Sequence, residues 1–592
     1  MAETVGDRLI QRLQDWGVSR IYGYPGDGYN SILAALQRAD NTPPFVQARH
    51  EEMAAFMAVG HAKFTDEVGV CMATSGPGAI HLLNGLYDAK LDHVPMVAIV
   101  GQTSTTALGG SYQQEVDLQT LCSDVAGYVQ TVMAPEQVPA VVDRAFRVAA
   151  GRRTPAVLIF PADVQDSTYS PPEHEFKMVP GSLGYSPPQV VPRDDDLRRA
   201  ADVLNQSSRV AMLVGQGARR AADEVQAVAD VLGAGVSKAL LGKDVLADDL
   251  PYVTGPIGLL GTKPSYDLMM GCDALLMVGS SLPYSQFLPE YGTARGVQID
   301  IDPTMIGLRY PMEVNLVGDA QATLAALLPL LERKTDRSWR EEIEDGVQTW
   351  WRVVEARAMQ DAEPLNPQRV FWELSPKLPD DVIVTADSGS AANWYARDLK
   401  FRAGMRGSLS GTLATMGCGL PYAIGAKFAH PPRPVVACVG DGAMQMNNMA
   451  ELLTVAKYFR EWDDPRFVCL VLHNNDLNQV TWEMRAMEGT PKFDETQQLP
   501  EISYAGFAEL AGLRGITVDS PDNVAAAWDE ALASDVPVVV DAIVDPEVPP
   551  IPPHVEFDEI KSMTSAIMKG DPKAWQIVKQ SFRGKAQEFL NR

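Results

Sequence analysis

Asp441 and Asn475 end two apolar runs of the chain, and together they could bind a divalent cation. The carboxylate of Asp441, the amide oxygen of Asn475 and the carbonyl of Leu477 would give three hard oxygen donors. Mg²⁺ takes about six donors and accepts the remainder from water and phosphate groups. Gly440 and Gly442 flank Asp441 and would let the backbone approach a diphosphate closely. This stretch therefore predicts a site for Mg²⁺ and a diphosphate.

The elements that position these two residues follow from the pattern around them. An apolar run, a helical pattern over Asn447–Phe459 and a second apolar run predict a βαβ unit with both strands buried in a parallel sheet. Both residues would then lie at the carboxyl ends of their strands, where open α/β sheets bind ligands. The same alternation recurs along the chain. It predicts an α/β fold of three parallel-sheet domains, at 1–166, 193–335 and 366–546, followed by a C-terminal helical tail at 551–592.

Composition and charge exclude several classes of function. The 592 residues suffice for three or four domains, and a net charge of −26 argues against binding to nucleic acid. The six cysteines are scattered, mostly within apolar runs, which is typical of buried thiols in a reducing compartment. The N-terminus lacks the apolar core of a signal peptide, and no apolar run approaches about 18 residues. We therefore expect a cytoplasmic protein.

The pairing of Gly440–Gly442 with Asn474-Asn475 resembles the thiamine diphosphate signature of the pyruvate oxidase and acetolactate synthase superfamily. Gly-Asp-Gly alone could be a tight turn after a strand, and the second motif is what makes the pattern specific. The spacing between Gly442 and Asn474 is 31 residues, slightly more than is usual in that family. An exposed insertion at 461–466 would account for the excess. The resemblance implies that the chain binds thiamine diphosphate with Mg²⁺.

In the first domain the resemblance is carried by Arg49–Glu51, between Gly23–Asp27 and Thr74–Gly78. It implies that Glu51 hydrogen-bonds N1′ of the cofactor's aminopyrimidine, so that the cofactor's own amino group can act as a base. Taken alone, Glu51 could be a carboxylate that complements a helix dipole. The family's motifs imply further cofactor contacts at Gly26, Asp27, Gly76 and Pro77.

In the third domain, Met416 corresponds to the family's wedge between the two rings of the cofactor. A methionine that fills an irregular core gap is the alternative. The loop after a predicted strand at Val382–Thr385 resembles a segment that contacts the diphosphate. The resemblance implies cofactor contacts at Asp387, Ser388, Gly389, Ser390, Ala414, Thr415, Met416, Gly440, Gly442 and Ala443.

The middle domain resembles the FAD-binding domain of pyruvate oxidases and of flavin-dependent pyruvate dehydrogenases that reduce quinones. Val214–Ala218 follows a predicted strand and opens a helix, which suits a phosphate at a helix N-terminus. A Gly-x-Gly can also serve only to tighten a turn. Segments between Gly258 and Asp319 follow in the family's order. The resemblance implies FAD contacts at Gly215, Gly217, Ala218, Gly258, Gly261, Ser280, Pro283, Tyr284, Asp300 and Asp319.

Some positions depart from the quinone-reducing type. Gln113 stands where an aromatic residue facing the substrate methyl group is expected, and Asp117 replaces a histidine. Asn478-Gln479 replaces a glycine-containing turn after the metal motif. Gln114 is expected to contact the substrate, and Glu483 would match the family's glutamate if a one-residue gap is allowed. These differences would make the pocket more polar.

The resemblance implies an enzyme that uses thiamine diphosphate, Mg²⁺ and FAD. The expected reaction is the oxidative decarboxylation of a 2-oxo acid, with pyruvate converted to acetate and CO₂ while FAD passes electrons to a quinone. Three alternatives stay open. They are an acetolactate-synthase-type carboligase in which FAD is only structural, a non-oxidative 2-oxo acid decarboxylase or lyase, and a noncatalytic binding subunit. The joint presence of Glu51, Asp441 and Asn475 argues against the last.

Assembly and membrane contact are expected on similar grounds. In the resembled family the site forms between the first domain of one subunit and the third domain of another, which implies a homodimer or homotetramer. Residues 571–592 carry an apolar stripe at helical spacing and a basic charge balance. We expect this tail either to contact the inner face of the membrane peripherally, as in the quinone-reducing enzymes, or to dock on the acidic body of the protein.

Overall fold

The computed structural model describes residues 2–172, 181–550 and 571. These residues form three six-stranded sheets with helices between the strands, and the strand pairs are parallel. The predicted α/β fold with three parallel sheets is therefore confirmed. By packing, the chain divides into two compact units. The first unit comprises 1–187, 410–435 and 443–467, and the second comprises 188–409, 436–442 and 468–592, as far as these ranges are described.

The first sheet lies in the first unit. Its strands are β1 (Ile21–Gly23), β2 (Phe45–Gln47), β3 (Gly69–Ala73), β4 (Met96–Gln102), β5 (Tyr128–Thr131) and β6 (Pro155–Pro161). The strand order is β2-β1-β3-β4-β6-β5. The helices are α1 (Val5–Asp15), α2 (Asn30–Arg38), α3 (Glu51–Thr65), α4 (Pro77–His81), α5 (Leu83–Leu91), α6 (Leu118–Leu121), α7 (Val138–Arg152) and α8 (Ala162–Asp166).

The middle sheet lies in the second unit. Its strands are β7 (Val210–Val214), β8 (Gly235–Lys238), β9 (Val253–Pro256), β10 (Ala274–Val278), β11 (Arg295–Asp300) and β12 (Val314–Val317). The strand order is β9-β8-β7-β10-β11-β12. The helices are α9 (Asp194–Gln206), α10 (Ala222–Leu232), α11 (Lys263–Gly271) and α12 (Ala320–Leu327), and α13 (Ser338–Ala358) leads out of this part of the chain.

The third sheet has the strands β13 (Ile383–Ala386), β14 (Arg406–Ser408), β15 (Val435–Gly440), β16 (Phe467–His473), β17 (Arg514–Val518) and β18 (Val538–Ile543), in the order β14-β13-β15-β16-β18-β17. The helices of this stretch are α14 (Pro367–Leu374), α15 (Ser390–Arg397), α16 (Gly419–Ala429), α17 (Asp441–Ala443), α18 (Met449–Tyr458), α19 (Asn478–Glu483), α20 (Asp494–Gln497), α21 (Tyr504–Leu510) and α22 (Val524–Leu532). Of these, α16 and α18 belong to the first unit.

The central strands explain why the apolar runs of the sequence are continuous rather than alternating. Every residue of β4, β10 and β16 is buried, because helices cover both faces of a parallel sheet. All six cysteines lie among the described residues, and each is buried and free of disulfide bonds, as predicted. None of the described helices is long and apolar enough to cross a membrane.

Two details differ from the sequence expectation. The helix after β15 begins at Asp441, six residues before the predicted Asn447, and it contains a π-helical turn at Met444–Asn448. The stretch 461–466 is not a wholly exposed insertion, because Trp462 is buried. Its ring stacks on that of Phe467 with centroids 5.4 Å apart. An aromatic ring of this size gains too much by burial to remain in solvent.

The domain limits predicted from the sequence stay predictions. The predicted tail, 551–592, lies outside the described residues except for Asp571. That carboxylate forms a buried ion pair with Arg485, whose Nε lies 2.9 Å from Asp571 Oδ2. Arg485 also contacts Glu547 at 2.9 Å.

Candidate active site

Glu51, predicted to activate the cofactor, is the first residue of α3 in the first unit. Only 8% of it is exposed, and its Oε2 lies 3.0 Å from Nδ1 of His81. The His81 ring packs on that of His50 with centroids 4.3 Å apart, and Nδ1 of His50 accepts the N–H of Glu52. A carboxyl group buried beside imidazole rings suits proton sharing with a cofactor nitrogen. The sequence interpretation missed His81, although it closes the short helix that Pro77 begins.

A buried acid holds the segment that precedes Glu51. Glu451 of α18 accepts the N–H of Arg49 at 2.8 Å and the hydroxyl of Thr454 at 2.7 Å. Burial raises the pKa of Glu451 to about 7. This carboxyl group fixes the chain direction just before α3 and thereby the position of Glu51. No motif marked Glu451, because the amide that it binds is 402 residues away in the chain.

Three side chains of one helix face hold the segment that leads to Met416. They are spaced four residues apart at α5 and its C-cap, a spacing that aligns side chains along a helix. We call them the α5 ladder: Asn84, Asp88 and Asp92. Asn84 Nδ2 donates to Thr415 Oγ1 at 3.0 Å, and the hydroxyl of Ser410 donates to Asp88 at 2.7 Å. Asp92 accepts the N–H groups at positions 411 and 412 at 2.9 and 2.8 Å.

The buried charges of the α5 ladder are compensated. Burial alone would raise the pKa of Asp92, but the ammonium of Lys63, 2.7 Å away, and the two amides hold it below its usual value. Asp88 accepts a hydrogen bond from Tyr422 as well as from Ser410. Burial nevertheless raises the pKa of Asp88 to about 6. The ladder therefore depends on groups contributed by α3, by α16 and by the segment itself.

The held segment has an unusual backbone. Ala414 adopts a φ of +54°, which is costly for a residue with a Cβ. Its neighbour Thr415 donates its N–H to Ser410 Oγ at 3.0 Å. Met416 is half-buried. Its role as a wedge stays a prediction. Near it, Asn447 Oδ1 is buried without a hydrogen-bond partner, as expected of a site that takes a polar ligand.

The loops after β1 and β3 meet at the edge of the first sheet. A Cβ at Gly26 would lie 2.4 Å from that of Thr74, so this approach requires glycine. Asp27 is exposed and accepts the Thr74 hydroxyl at 3.4 Å. Gly76 has a φ of +57° and packs against Gln114, whose Oε1 accepts the Ser75 hydroxyl at 2.9 Å. The structure thus brings Gly26, Asp27, Gly76 and Gln114 to one edge.

Glu51 reaches the same edge. Pro77 is the exposed first residue of α4, and a Cβ at the following residue, Gly78, would lie 3.2 Å from Oε1 of Glu51. Asp117 caps α6 by accepting the N–H of Thr120 at 3.1 Å. Gln113 is exposed. The roles of these residues toward cofactor and substrate stay predictions.

Asp441 is the centre of the polar edge of the third sheet. It is 2% exposed, and one of its oxygens accepts the N–H groups of Asn474 and Asn475 at 2.8 and 2.6 Å. The other accepts the N–H of Gly442 at 2.8 Å. Burial raises the pKa of Asp441 to about 6. A fixed, desolvated carboxylate fits a divalent cation, and a Cβ at Gly440 would meet nothing within 4 Å, which leaves room for a diphosphate.

Asn475 joins this carboxylate, as the motif predicted. Its φ of +54° is tolerated by asparagine. Its Oδ1 lies 2.9 Å from Nε2 of His473, and its Nδ2 donates to Glu501. The carbonyl of Leu477 accepts two N–H groups of α19, at 2.9 and 3.1 Å. Asp441 and Asn475 therefore fit a cation directly, whereas the predicted Leu477 ligand would have to give up a bond of α19.

The loop after β13 and the start of α15 contact Asn478-Gln479, the pair that replaces the family's glycine-containing turn. Asp387 is fully buried, and Gly389 has a φ of +83°. Ser388 and Gly389 are half-buried at the start of α15. The hydroxyl of Ser390 donates to Asn478 at 2.8 Å. Gln479 accepts Asn393 Nδ2 at 2.9 Å. Asn478-Gln479 therefore braces the loop predicted to contact the diphosphate.

Two other predicted site residues of this stretch are also placed. Glu483 is exposed and accepts Nε2 of Gln479 at 3.0 Å. Ala443, which follows Gly442 in the helix after β15, is buried. Their roles toward the cofactor and the substrate stay predictions.

The middle sheet has the strand order of dinucleotide-binding folds, with a switch point between β7 and β10. Gly215 and Gly217 follow β7, and Gly279 and Ser280 follow β10. A Cβ at Gly215 would lie 2.3 Å from the carbonyl oxygen of Gly279, and one at Gly217 would lie 2.8 Å from its Cα. The hydroxyl of Ser280 is buried there without a partner. A polar ligand would satisfy it.

The remaining FAD predictions fall into three groups. A Cβ at Gly258 would lie 3.6 Å from Tyr284, so these two come together, and Gly261 packs against the backbone of Gly258. Asp300 accepts the N–H of Asp302 at 3.0 Å, and Asp319 caps α12. These two carboxylates already have structural roles. Ala218 is buried near the switch point and Pro283 lies in the loop after β10.

Comparisons with known proteins give matches along most of the chain. Models of the thiamine pyrophosphate enzyme family match the chain three times. The N-terminal TPP-binding domain matches residues 3–121, the central domain 197–327 and the C-terminal TPP-binding domain 387–542. A putative thiamine pyrophosphate-containing protein, YdaP of Bacillus subtilis, is 36% identical over 569 residues, covering 96% of each chain.

Two relatives carry more specific names. A pyruvate oxidase of Lactiplantibacillus plantarum is 29% identical, covering 95% of this chain and 92% of its own. A probable acetolactate synthase large subunit of Methanocaldococcus jannaschii is 31% identical, covering 92% of this chain and 93% of its own. The two relatives are similar to this chain to nearly the same extent.

Proposed function

The chain belongs to the thiamine pyrophosphate enzyme family, and from this membership we propose that it catalyses the oxidative decarboxylation of a 2-oxo acid. Pyruvate is the expected substrate; it reacts with one water to give acetate and CO₂, and two electrons and two protons are released. FAD accepts the electrons and passes them to a quinone. The family establishes dependence on thiamine diphosphate, whereas Mg²⁺, FAD, the substrate and the acceptor belong to the proposal.

Different residues of the chain would activate the cofactor, bind the metal and contact the substrate. Thiamine diphosphate, when bound, supplies a nucleophilic carbon and an electron sink for decarboxylation. Glu51 would hold a proton at the pyrimidine, because it is buried beside the imidazole of His81. Asp441 and Asn475 would hold Mg²⁺, and the open space at Gly440 would admit the diphosphate. Gln114, at the same edge as Glu51, would contact the substrate.

The strand order of the middle sheet is the observation that carries the oxidative part of the proposal. It supports a dinucleotide at the switch point between β7 and β10. Gly215 and Gly217 permit a close backbone approach, and Ser280 offers an unpartnered buried hydroxyl. A central domain without a bound flavin would favour a non-oxidative decarboxylase or lyase.

The absorption spectrum of the purified protein tests the proposal. A bound flavin should be visible, and pyruvate added without oxygen should bleach it. The Glu51→Gln variant is the control, because it should keep the flavin but bleach it far more slowly. Failure of pyruvate and of other 2-oxo acids to bleach the wild-type flavin would contradict oxidation.

A carboligase is the second candidate, because the acetolactate synthase relative is about as similar as the pyruvate oxidase. In that case acetolactate should accumulate while the flavin stays oxidised. Product analysis in the same anaerobic sample separates the two activities.

The assembly proposed for the active enzyme is a homodimer or homotetramer. In the resembled family the site forms between the first domain of one subunit and the third domain of another. Activity should therefore fall with dilution at the concentration where the oligomer dissociates. Constant specific activity of an isolated monomer would contradict this assembly.

A further inference from the structure

A small polar cavity lies in the second unit, and none of the residues that line it was predicted to bind a cofactor. It forms where the end of α13, the helices α14 and α15 and residues 548–549 meet. Its volume is about 30 Å³. A water molecule needs about 10–15 Å³ measured in this way, so two or three atoms of that size fit inside.

Three buried polar atoms, on lining residues other than the arginines, have no hydrogen-bond partner. They are Nε1 of Trp350, Nε2 of Gln360 and Oδ2 of Asp398. Trp350 is 6% and Asp398 1% exposed. A buried polar group without a partner costs about 1–3 kcal/mol, and such groups are uncommon. Three at one cavity indicate that a polar molecule completes the site.

The charges at the cavity favour an anion. Two guanidinium groups, those of Arg357 and Arg397, and one carboxylate, that of Asp398, line it, which leaves one net positive charge. Burial lowers the pKa of Arg397 to about 10, so this side chain stays charged at neutral pH. Trp350 and Gln360 add N–H donors. Arg357 also stacks over the Trp350 ring, 5.6 Å from its centroid.

We propose that this cavity is a binding site for a small carboxylate, which enters carboxyl group first. A carboxyl group has three heavy atoms and fits the space, whereas a phosphate group has five and does not. Its oxygens would accept from Trp350, Gln360 and the guanidinium groups. The unpartnered oxygen of Asp398 would share a proton with it. The proposal does not depend on the enzymatic activity proposed above, although a 2-oxo acid belongs to this chemical class.

Proton sharing makes the site dependent on pH. Burial raises the pKa of Asp398 to about 6, opposed by Arg397 on its own element, by Gln368 of α14, by Arg357 of α13 and by Lys243. Gln368 Nε2 donates to the other oxygen of Asp398 at 2.9 Å. A bound carboxylate would raise this pKa further, because two like charges disfavour each other. Binding should therefore take up one proton and weaken as pH rises.

The site is connected to the predicted diphosphate loop through one helix. Asp398 follows the last residue of α15, and the loop opens the same helix at Ser390. A ligand at one end of this eight-residue helix should therefore slow amide exchange along it. This gives a readout that does not involve turnover.

Calorimetric titration of the full chain with acetate, in the presence of thiamine diphosphate, Mg²⁺ and FAD, tests the proposal. We expect binding to be tighter at pH 6 than at pH 8, by up to about 50-fold, the limit for one proton taken up by a group with a pKa of about 6. Phosphate at equal concentration should not compete. Equal affinity at both pH values, or competition by phosphate, would overturn the assignment.

Variants separate this site from an acetate bound in the active site. Trp350→Phe removes one N–H donor and should weaken binding about tenfold, as for a hydrogen bond to a charged group. Trp351→Phe, one residue along α13 and not part of the cavity, is the control and should bind as the wild type does. Asp398→Asn should abolish the pH dependence.

The alternative occupant is water. If only water occupies the cavity, the Trp350→Phe and Trp351→Phe variants should bind acetate equally. A crystal grown in acetate should then show only water in the cavity. Either result would overturn the proposal. Without acetate, Trp350→Phe should be at least as heat-stable as the wild type because an unpartnered N–H is lost. A lower melting temperature would show that Trp350→Phe is unfolded rather than specifically impaired. In that case the pH dependence of acetate binding by Asp398→Asn tests the proposal.

Discussion

The first and third sheets share one strand order but carry different chemistry. Counted within each sheet, both run second, first, third, fourth, sixth, fifth. The edge after β1 and β3 presents hydroxyls, glycines and the exposed Asp27, whereas the edge after β13 and β15 presents the buried Asp441 with three amides. The topology therefore decides where a site lies. A single desolvated carboxylate decides whether that edge suits a cation.

The likeness extends to the segments that follow the second strand of each sheet. In the first sheet, this segment leads to Glu51 and α3, and in the third it leads to Met416 and α16. The helices that hold these segments also correspond, because α5 follows the third strand of the first sheet and α18 follows the third strand of the third sheet. The α5 ladder holds the segment before α16, and Glu451 of α18 holds the segment before α3. All of these side chains belong to the first unit.

We expect the largest difference between the two sheets when the predicted cation site is removed. Asp441→Ala should weaken thiamine diphosphate binding in the presence of Mg²⁺ by more than about 100-fold, since loss of an outer partner of a metal site alone costs about 10–100-fold. Asp27→Ala, at the first sheet's edge, should cost less than about tenfold. Calorimetry measures both, and the flavin spectrum should be unchanged. Equal losses in the two variants would refute the division of roles.

The next effect concerns the corresponding residues before α3 and α16. Glu51→Gln should keep the fold and the cofactors but lower turnover about 10²–10⁴-fold, because only the proton-sharing group is removed. Met416→Leu keeps the volume of the side chain and should cost far less. Steady-state kinetics with each variant saturated in cofactor provides the measurement. Near wild-type turnover of Glu51→Gln would exclude its proposed role.

The supports can be tested through Asp92. Asp92→Ala leaves the Lys63 ammonium buried without its carboxylate, so the free energy of unfolding of this region should fall by about 3–5 kcal/mol. Hydrogen exchange should accelerate at Gly411 and Thr412, whose N–H groups lose their acceptor. The double variant Lys63→Met/Asp92→Ala should recover part of the stability. Unchanged exchange at both amides would show that the α5 ladder does not hold this segment.

The sequence predicted the strands and the motif residues better than the buried side chains that support them. Apolar runs indicated parallel strands because burial on both faces leaves a local signal, and the motifs indicated that Asp441 and Asn475 would meet. Glu451 and Asp92 left no such signal, since the backbone amides that they bind are hundreds of residues away. The helix start at Asp441 was missed because Gly442 follows it, and local propensity disfavours a helix there. Trp462 was misplaced because charged neighbours masked its burial.

Glu451 should make the first unit sensitive to pH. Burial raises its pKa from 4.5 to about 7, so the folded state keeps a proton that the unfolded chain releases. The stabilisation is complete below about pH 4.5 and is lost as pH rises through about 7. Glu451→Gln is neutral throughout, so its melting temperature minus that of the wild type should increase from pH 5 to pH 8. Glu509→Gln, at an exposed position, should show no such trend, and a flat difference for Glu451→Gln would contradict the assignment.

We expect the smallest effect, a change in substrate preference, at the two glutamines near the edge of the first sheet. Gln113 is exposed, whereas its neighbour Gln114 is half-buried against Gly76 and bonded to Ser75. If Gln113 faces the substrate, Gln113→Phe should raise kcat/KM for pyruvate relative to a polar 2-oxo acid by roughly two- to tenfold, because one added apolar contact discriminates only modestly. Tyr112→Phe is a matched exposed control that should leave the ratio unchanged. An identical ratio in Gln113→Phe would show that Gln113 does not contact the substrate. Gln114 would then be the one of these two glutamines expected to contact it, because its contact with Gly76 places it at the edge that Glu51 reaches.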